Sequence, residues 1–134
     1  MATPTLTSNT NTQVIVGFTS LTAGAGYGGA PSVSYNLEYK KTSDPTYTVV
    51  TGVTSPVTVN SLTAKTSYMF RITAVNVHGS TIQSTDLSVT TYDQPDTPTG
   101  VSTTTHANNL GITVSWTAPN TNGAAITRYN VHIR

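Results

Sequence analysis

The chain carries three histidines, His78, His106 and His132, and five carboxylates, with no cysteine. Metal binding needs such side chains gathered at short spacings, and none of these histidines has a second ligand type two or four positions away. Thiolate sites and disulfides are excluded by the absence of cysteine, and no metal or cofactor is expected. Ser80, His78 and Asp86 supply the residue types of a hydrolytic triad, but no nucleophile elbow surrounds the serine. The carboxylates do not fall as a pair that would frame a sugar ring. The glycine-rich stretch at residues 21–32 lacks the lysine of a phosphate-binding loop and does not open a helix. These residues therefore predict no enzyme. What remains are candidates for contact: Tyr27 at the tip of the glycine-rich loop, and His78 with Gly79 in a tight turn.

Composition points the same way. Charged residues make up 8% of the 134 positions and the formal net charge is +1, against the usual quarter of charged residues. No basic stripe is present to neutralise phosphates, so nucleic acid is not an expected partner. Low charge removes repulsion between copies and favours a surface that associates. The threonine- and serine-rich pattern suits strands with a polar, uncharged outer face. No apolar run approaches the roughly 18 residues of a membrane span. The first ten residues lack the basic and apolar regions of a secretion signal.

The elements that would position any site are strands. From Tyr68 apolar residues occupy every second place (Tyr68, Phe70, Ile72, Ala74), with Met69, Arg71 and Thr73 between them. A period of two means one buried and one wet face. Further strands are expected at residues 3–6, 13–20, 33–41, 47–51, 55–60 and 81–91. Within them Val14, Val16, Phe18, Tyr35, Leu37 and Tyr39 point inward. If Tyr35 pairs near Ala74, Glu38 faces Arg71 across the outer face, an exposed pair worth ~0.2–1 kcal/mol.

Leu62 lies six residues before Tyr68, across the polar bend Thr-Ala-Lys-Thr-Ser, and Ala74-x-Asn76-x-x-Gly79-Ser80 follows. This resembles the E–F corner and F–G loop of a fibronectin type III domain, in which the leucine plugs the core and the tyrosine hydroxyl bonds back to the backbone. The resemblance implies an all-β, immunoglobulin-like antiparallel sandwich, with Phe18 standing where the family carries a tryptophan. The family's Arg-Gly-Asp signal is absent, so integrin binding is not carried over.

Residues 92–96, Tyr-Asp-Gln-Pro-Asp, break the composition, and the pattern then restarts. Thr97-Pro98-Thr99 echoes Thr3-Pro4-Thr5, Leu110 to Trp116 echoes Thr12 to Phe18, and Ile126 to Ile133 echoes the segment around Tyr35. Pro98 and Tyr129 each stand 94 positions after Pro4 and Tyr35. A period near ninety means an array of domains. The expected division is a complete domain at 1–92, a linker at 93–96, and strands A to C of a second domain at 97–134. The expected core is Phe18, Tyr35, Leu37, Leu62, Tyr68, Phe70 and Ile72, with Trp116 and Tyr129 in the second domain. Half a sandwich cannot enclose those last two, so the chain is either a piece of a longer one or is completed by other polypeptide.

The expected role is a non-enzymatic structural and adhesive module of a larger surface or extracellular filament protein, in contact with neighbouring domains of its own kind and with other proteins, including copies of itself. The alternatives are an accessory module of a secreted carbohydrate-active enzyme, which would need an aromatic platform from Tyr27 and Tyr92, and an intracellular cytoskeletal scaffold. All three rest on fold-level analogy.

Overall fold

The computed structural model describes residues 1–24, 29–30, 33–79, 81–107 and 110–133. The chain divides into two compact units, Met1–Tyr92 and Asp93–Arg134. Among the described residues all regular elements longer than a turn are strands. No helix there is long and apolar enough to cross a membrane.

The first unit holds eight strands: β1 (Thr5–Asn9), β2 (Val14–Gly17), β3 (Val33–Lys41), β4 (Thr48–Thr51), β5 (Val57–Val59), β6 (Ser67–Asn76), β7 (Thr81–Gln83) and β8 (Leu87–Thr90). One sheet runs β1-β2-β5; the other runs β4-β3-β6-β7, with β8 also paired to β6. All pairings are antiparallel. The core lies between the two sheets. Val14, Val16 and Val59 from one meet Leu37, Phe70, Ile72 and Val89 from the other, with Phe18, Leu62 and Tyr68 closing the cluster. Val14, Val16, Leu37, Phe70 and Ile72 are wholly buried. Full burial of such a side chain contributes ~1.5–3 kcal/mol, and it follows here from alternation: every second residue of β2 and β6 is apolar and faces the opposite sheet.

The long central pairing has the expected register, with Tyr35 opposite Ala74 and Glu38 opposite Arg71. The last strand does not run unbroken over 81–91. It divides into β7 and β8, whose registers against β6 differ by one residue. The extra residue is accommodated around Ser84, which is buried; its N–H donates to the Ile72 carbonyl at 2.9 Å, and its hydroxyl accepts from the Ile72 N–H at 3.0 Å. A one-residue bulge exchanges the two faces of a strand. That exchange brings Val89, opposite Tyr68, onto the same inward face as Ile82, opposite Ala74; Val89 is buried there, while Ile82 on the short β7 remains exposed.

The second unit contains an antiparallel pair, β9 (Thr99–Thr105) and β10 (Ile112–Thr117). Residues 93–96, expected as a linker, are tied into this unit. The Asp93 and Asp96 N–H groups donate to the carbonyls of Asn122 and Asn120, and the Asn122 amide donates to the Gln94 carbonyl at 2.7 Å. The repeat would set Thr99 opposite Ser115, but Thr99 pairs with Thr117 instead. A slip of two residues keeps every side chain on its original face. The expected third strand at 126–133 is not formed. Its counterpart β3 is held by β4 and β6, and residues 97–134 contain no counterpart of either. Tyr129 is consequently exposed and Trp116 only half-buried, whereas their counterparts Tyr35 and Phe18 are respectively partly buried and buried against the first unit's core.

Candidate functional surface

Tyr68 ends the polar bend at the start of β6, and its ring is buried against Phe70. Its hydroxyl accepts the Thr63 N–H at 2.9 Å. The bend needs two left-handed residues, Ser61 at φ 59° and Lys65 at φ 51°. Thr91, which alternation does not single out, locks it from the other side. Its hydroxyl donates to the Thr63 carbonyl at 2.6 Å and accepts the Thr66 N–H at 3.0 Å. Thr91 is buried, so all of this corner's backbone groups that meet it are satisfied without water.

The outer face of the larger sheet carries the densest polar cluster among the described residues. The Arg71 guanidinium donates through Nη2 and Nε to Glu38 Oε2, at 2.6 and 2.9 Å. Glu38 Oε1 accepts the Thr73 hydroxyl at 2.6 Å, and Gln83 Nε2 donates to Thr73 Oγ1 at 3.1 Å. Arg71 also stacks on the Tyr47 ring, 3.8 Å from its centroid, while Lys40 approaches that ring at 4.9 Å. The Tyr47 hydroxyl donates to Asp86 at 2.8 Å. The pair expected as exposed is thus largely covered, with side-chain exposures of 26% for Arg71 and 13% for Glu38. Thr73, placed on the wet face by alternation, is buried beneath it. Burial pushes the Glu38 carboxyl up, but the hydrogen bonds from Thr73 and Arg71 and the arginine's charge outweigh that and hold it below its ordinary value. Burial and the bond to Asp86 raise the Tyr47 phenol.

This cluster consumes its own polar groups. Each carboxylate oxygen of Glu38 has a donor, and the guanidinium face is occupied by a tyrosine. It ties β3, β6 and β7 together across the outer face. Sequence reasoning misses Tyr47, Thr73, Gln83 and Asp86; the first and last come from turns whose direction no periodicity specifies.

The contact candidates are placed as follows. His78 and Gly79 form the exposed turn after β6. Asn76 organises it: its side-chain oxygen accepts the His78 N–H and its carbonyl accepts the Gly79 N–H, both at 3.0 Å. Gly79 sits at φ 77°, and no atom beyond its chain neighbours comes within 4 Å of where a β-carbon would lie. Tyr27 lies outside the described residues, as does Ser80. Tyr92 is half-buried, its N–H bonded to the Thr10 carbonyl and its carbonyl accepting the Lys65 N–H. Its backbone is a structural tie between the β1–β2 turn and the corner. Among the described residues no three histidine or carboxylate groups converge as a metal site.

Apolar exposure is concentrated elsewhere. On the first unit, the edge strand β4 shows Val49 and Val50. On the second unit, Val101, Ile112, Val114, Trp116, Tyr129 and Val131 line a groove of about 420 Å³.

No curated protein sequence matches the chain. A solved structure described as "Myokine structure" superposes with a TM-score of 0.53 at 14% identity, covering 66% of this chain and 90% of that one; at that identity the likeness speaks for the fold. The family profile described as the fibronectin type III domain matches residues 2–90. With two sheets closed over Phe70 and Ile72, and with Tyr68 bonded back to Thr63, the chain belongs to the fibronectin type III family.

Proposed function

We propose that this chain is a non-enzymatic module of a larger multidomain surface or extracellular filament protein, where it spaces neighbouring domains and takes part in protein–protein association. Fibronectin type III domains are common modules of multidomain proteins that serve protein–protein interaction. The observation that carries the reading is the closed core of the first unit beneath an outer face whose charges satisfy one another. Such a body bears load and separates its neighbours without chemistry of its own. Association falls to the uncharged edge of β4, where Thr48, Val49, Val50 and Thr51 are all exposed and no charge or proline guards the strand.

The test has two arms. A polyprotein of repeated residues 1–92 pulled at constant speed should give regular unfolding peaks, one per copy. Featureless extension contradicts the spacer role. Sedimentation of the whole chain across a concentration series should show reversible association that Val49→Lys weakens. A chain that stays monomeric at every concentration, and retains no partner from an extracellular protein mixture, contradicts the associative role.

A further inference from the structure

Residues 93–96 are fastened to the rest of the second unit by the loop at residues 120–122. The Asp93 N–H donates to the Asn122 carbonyl at 3.1 Å, and the Asp96 N–H donates to the Asn120 carbonyl at 3.0 Å. The Asn122 side-chain amide adds two further ties: Nδ2 donates to the Gln94 carbonyl at 2.7 Å and to Asp96 Oδ1 at 2.9 Å. The amide protons are thus spent on two acceptors, one of them a carboxylate. The side chain that holds this clasp belongs to the one asparagine of the sequence that precedes a glycine.

That neighbour matters chemically. An asparagine loses its amide when the backbone nitrogen of the next residue attacks Cγ, and the side chain of that next residue normally obstructs the approach. Gly123 has none. It adopts φ 101°, which other residues rarely take, and Asn122 itself is left-handed at φ 50°. Gly123 is exposed and Asn122 half-buried, so water reaches the turn.

We propose that Asn122–Gly123 is a site of spontaneous modification, at which loss of the amide unfastens residues 93–96 irreversibly. The Gly123 nitrogen bonds to Asn122 Cγ and releases its proton; the Cγ–Nδ2 bond breaks, and Nδ2 departs with that proton as ammonia. Water then opens the five-membered imide at either carbonyl, leaving aspartate or isoaspartate. In both products a carboxylate replaces the amide, so a double donor becomes an acceptor. It then faces the Gln94 carbonyl and the Asp96 carboxylate, and two like charges at such a distance repel. Isoaspartate also lengthens the main chain by one carbon, at the carbonyl that accepts the Asp93 N–H. The intact bonds restrain the side chain, so the reaction follows opening of the clasp and then prevents its reclosing.

The inference is independent of the spacer and associative roles. Its test ages the full chain in mildly alkaline buffer, folded and in urea, and maps the asparagines by peptide mass spectrometry. Asn122 should convert in both samples, more slowly in the folded one, with isoaspartate the larger product. The asparagines that precede threonine, leucine or valine should stay intact. Modified and unmodified folded chains are then separated by anion exchange, and the amides of residues 93 and 96 should exchange at least roughly tenfold faster in the modified fraction. Asn122→Asp supplies the aspartate product directly and should show the same acceleration. Adding Asp96→Asn to it puts a donor back opposite the new carboxylate and should return most of the protection, an outcome that loss of the fold would not give. The proposal is overturned if Asn122 stays wholly intact in the folded chain after the urea-unfolded chain has converted. It is equally overturned if residues 93 and 96 exchange alike with and without the amide.

Discussion

Phe18 with Tyr35, and Trp116 with Tyr129, make the same tilted ring contact in two units, yet Phe18 is buried with Tyr35 packed on the core, while Trp116 is half-buried and Tyr129 exposed. The contact itself is local. It needs only a second strand and the segment after it, and an aromatic pair is worth ~0.5–1.5 kcal/mol beyond its buried area. Enclosure is non-local and comes from β5, β6 and β8, which close the first unit over Leu37 and Phe70. The difference shows that in this fold the strand pairs set the geometry of the aromatic residues, while the late strands supply the burial that stabilises them.

The sharpest way to break this comparison is to empty each site in turn. Phe70→Ala should cost the first unit ~3–5 kcal/mol, read as a lower urea midpoint at unchanged slope. Trp116→Ala should leave that midpoint within ~0.5 kcal/mol. Equal effects would mean that the two units share one core. Next comes the corner, which residues 97–134 lack. Thr91→Val removes the hydroxyl that bonds the partly covered Thr63 carbonyl and Thr66 N–H and should cost ~0.5–1.5 kcal/mol, with Tyr68→Phe near the lower end of that range. A neutral Thr91→Val would mean that the bend is held by packing alone.

The outer-face cluster gives a pH-dependent effect of similar size. Glu38 is held below its ordinary value of 4.5 in the folded unit, so its contribution is present in full above that value. It fades as pH falls from about 4.5 through the folded value, because the unfolded chain binds the proton first. Glu38→Gln should lower stability at pH 7 by ~1–2 kcal/mol, and the difference from wild type should shrink on acidification. A gap that stays constant between pH 7 and pH 3 would contradict the cluster's electrostatic role. Last is Gly79→Ala in the turn after β6, where only the left-handed backbone resists a side chain. It should cost about 1 kcal/mol and leave any association unchanged.

The sequence made the long-range skeleton legible where alternation was strong. Tyr68, Phe70, Ile72 and Ala74 announce a buried face, and the six-residue step from Leu62 to Tyr68 marks the corner. Pairing Tyr35 with Ala74 gives the Glu38–Arg71 contact without further information, since antiparallel register is a matter of counting. Three features were not legible. The bulge at Ser84 depends on a serine hydroxyl replacing a ladder bond, and serine is common on exposed strands too. Thr91 looks like any strand threonine until the bend it locks is built. Tyr47 could not be placed over Arg71, because the turn through Asp44 and Pro45 sets its direction and carries no period. The segment at 126–133 has the pattern of a strand and is not one, since pattern specifies a face while pairing needs a neighbour.

Hydrogen exchange read by mass spectrometry along the whole chain tests the central claim most directly. The account predicts that amides of β6 from Tyr68 to Ala74 exchange only through global unfolding of the first unit, while those of β10 from Ile112 to Trp116 exchange orders of magnitude faster. Protection of β10 equal to that of β6, in the monomeric 134-residue chain, would contradict it.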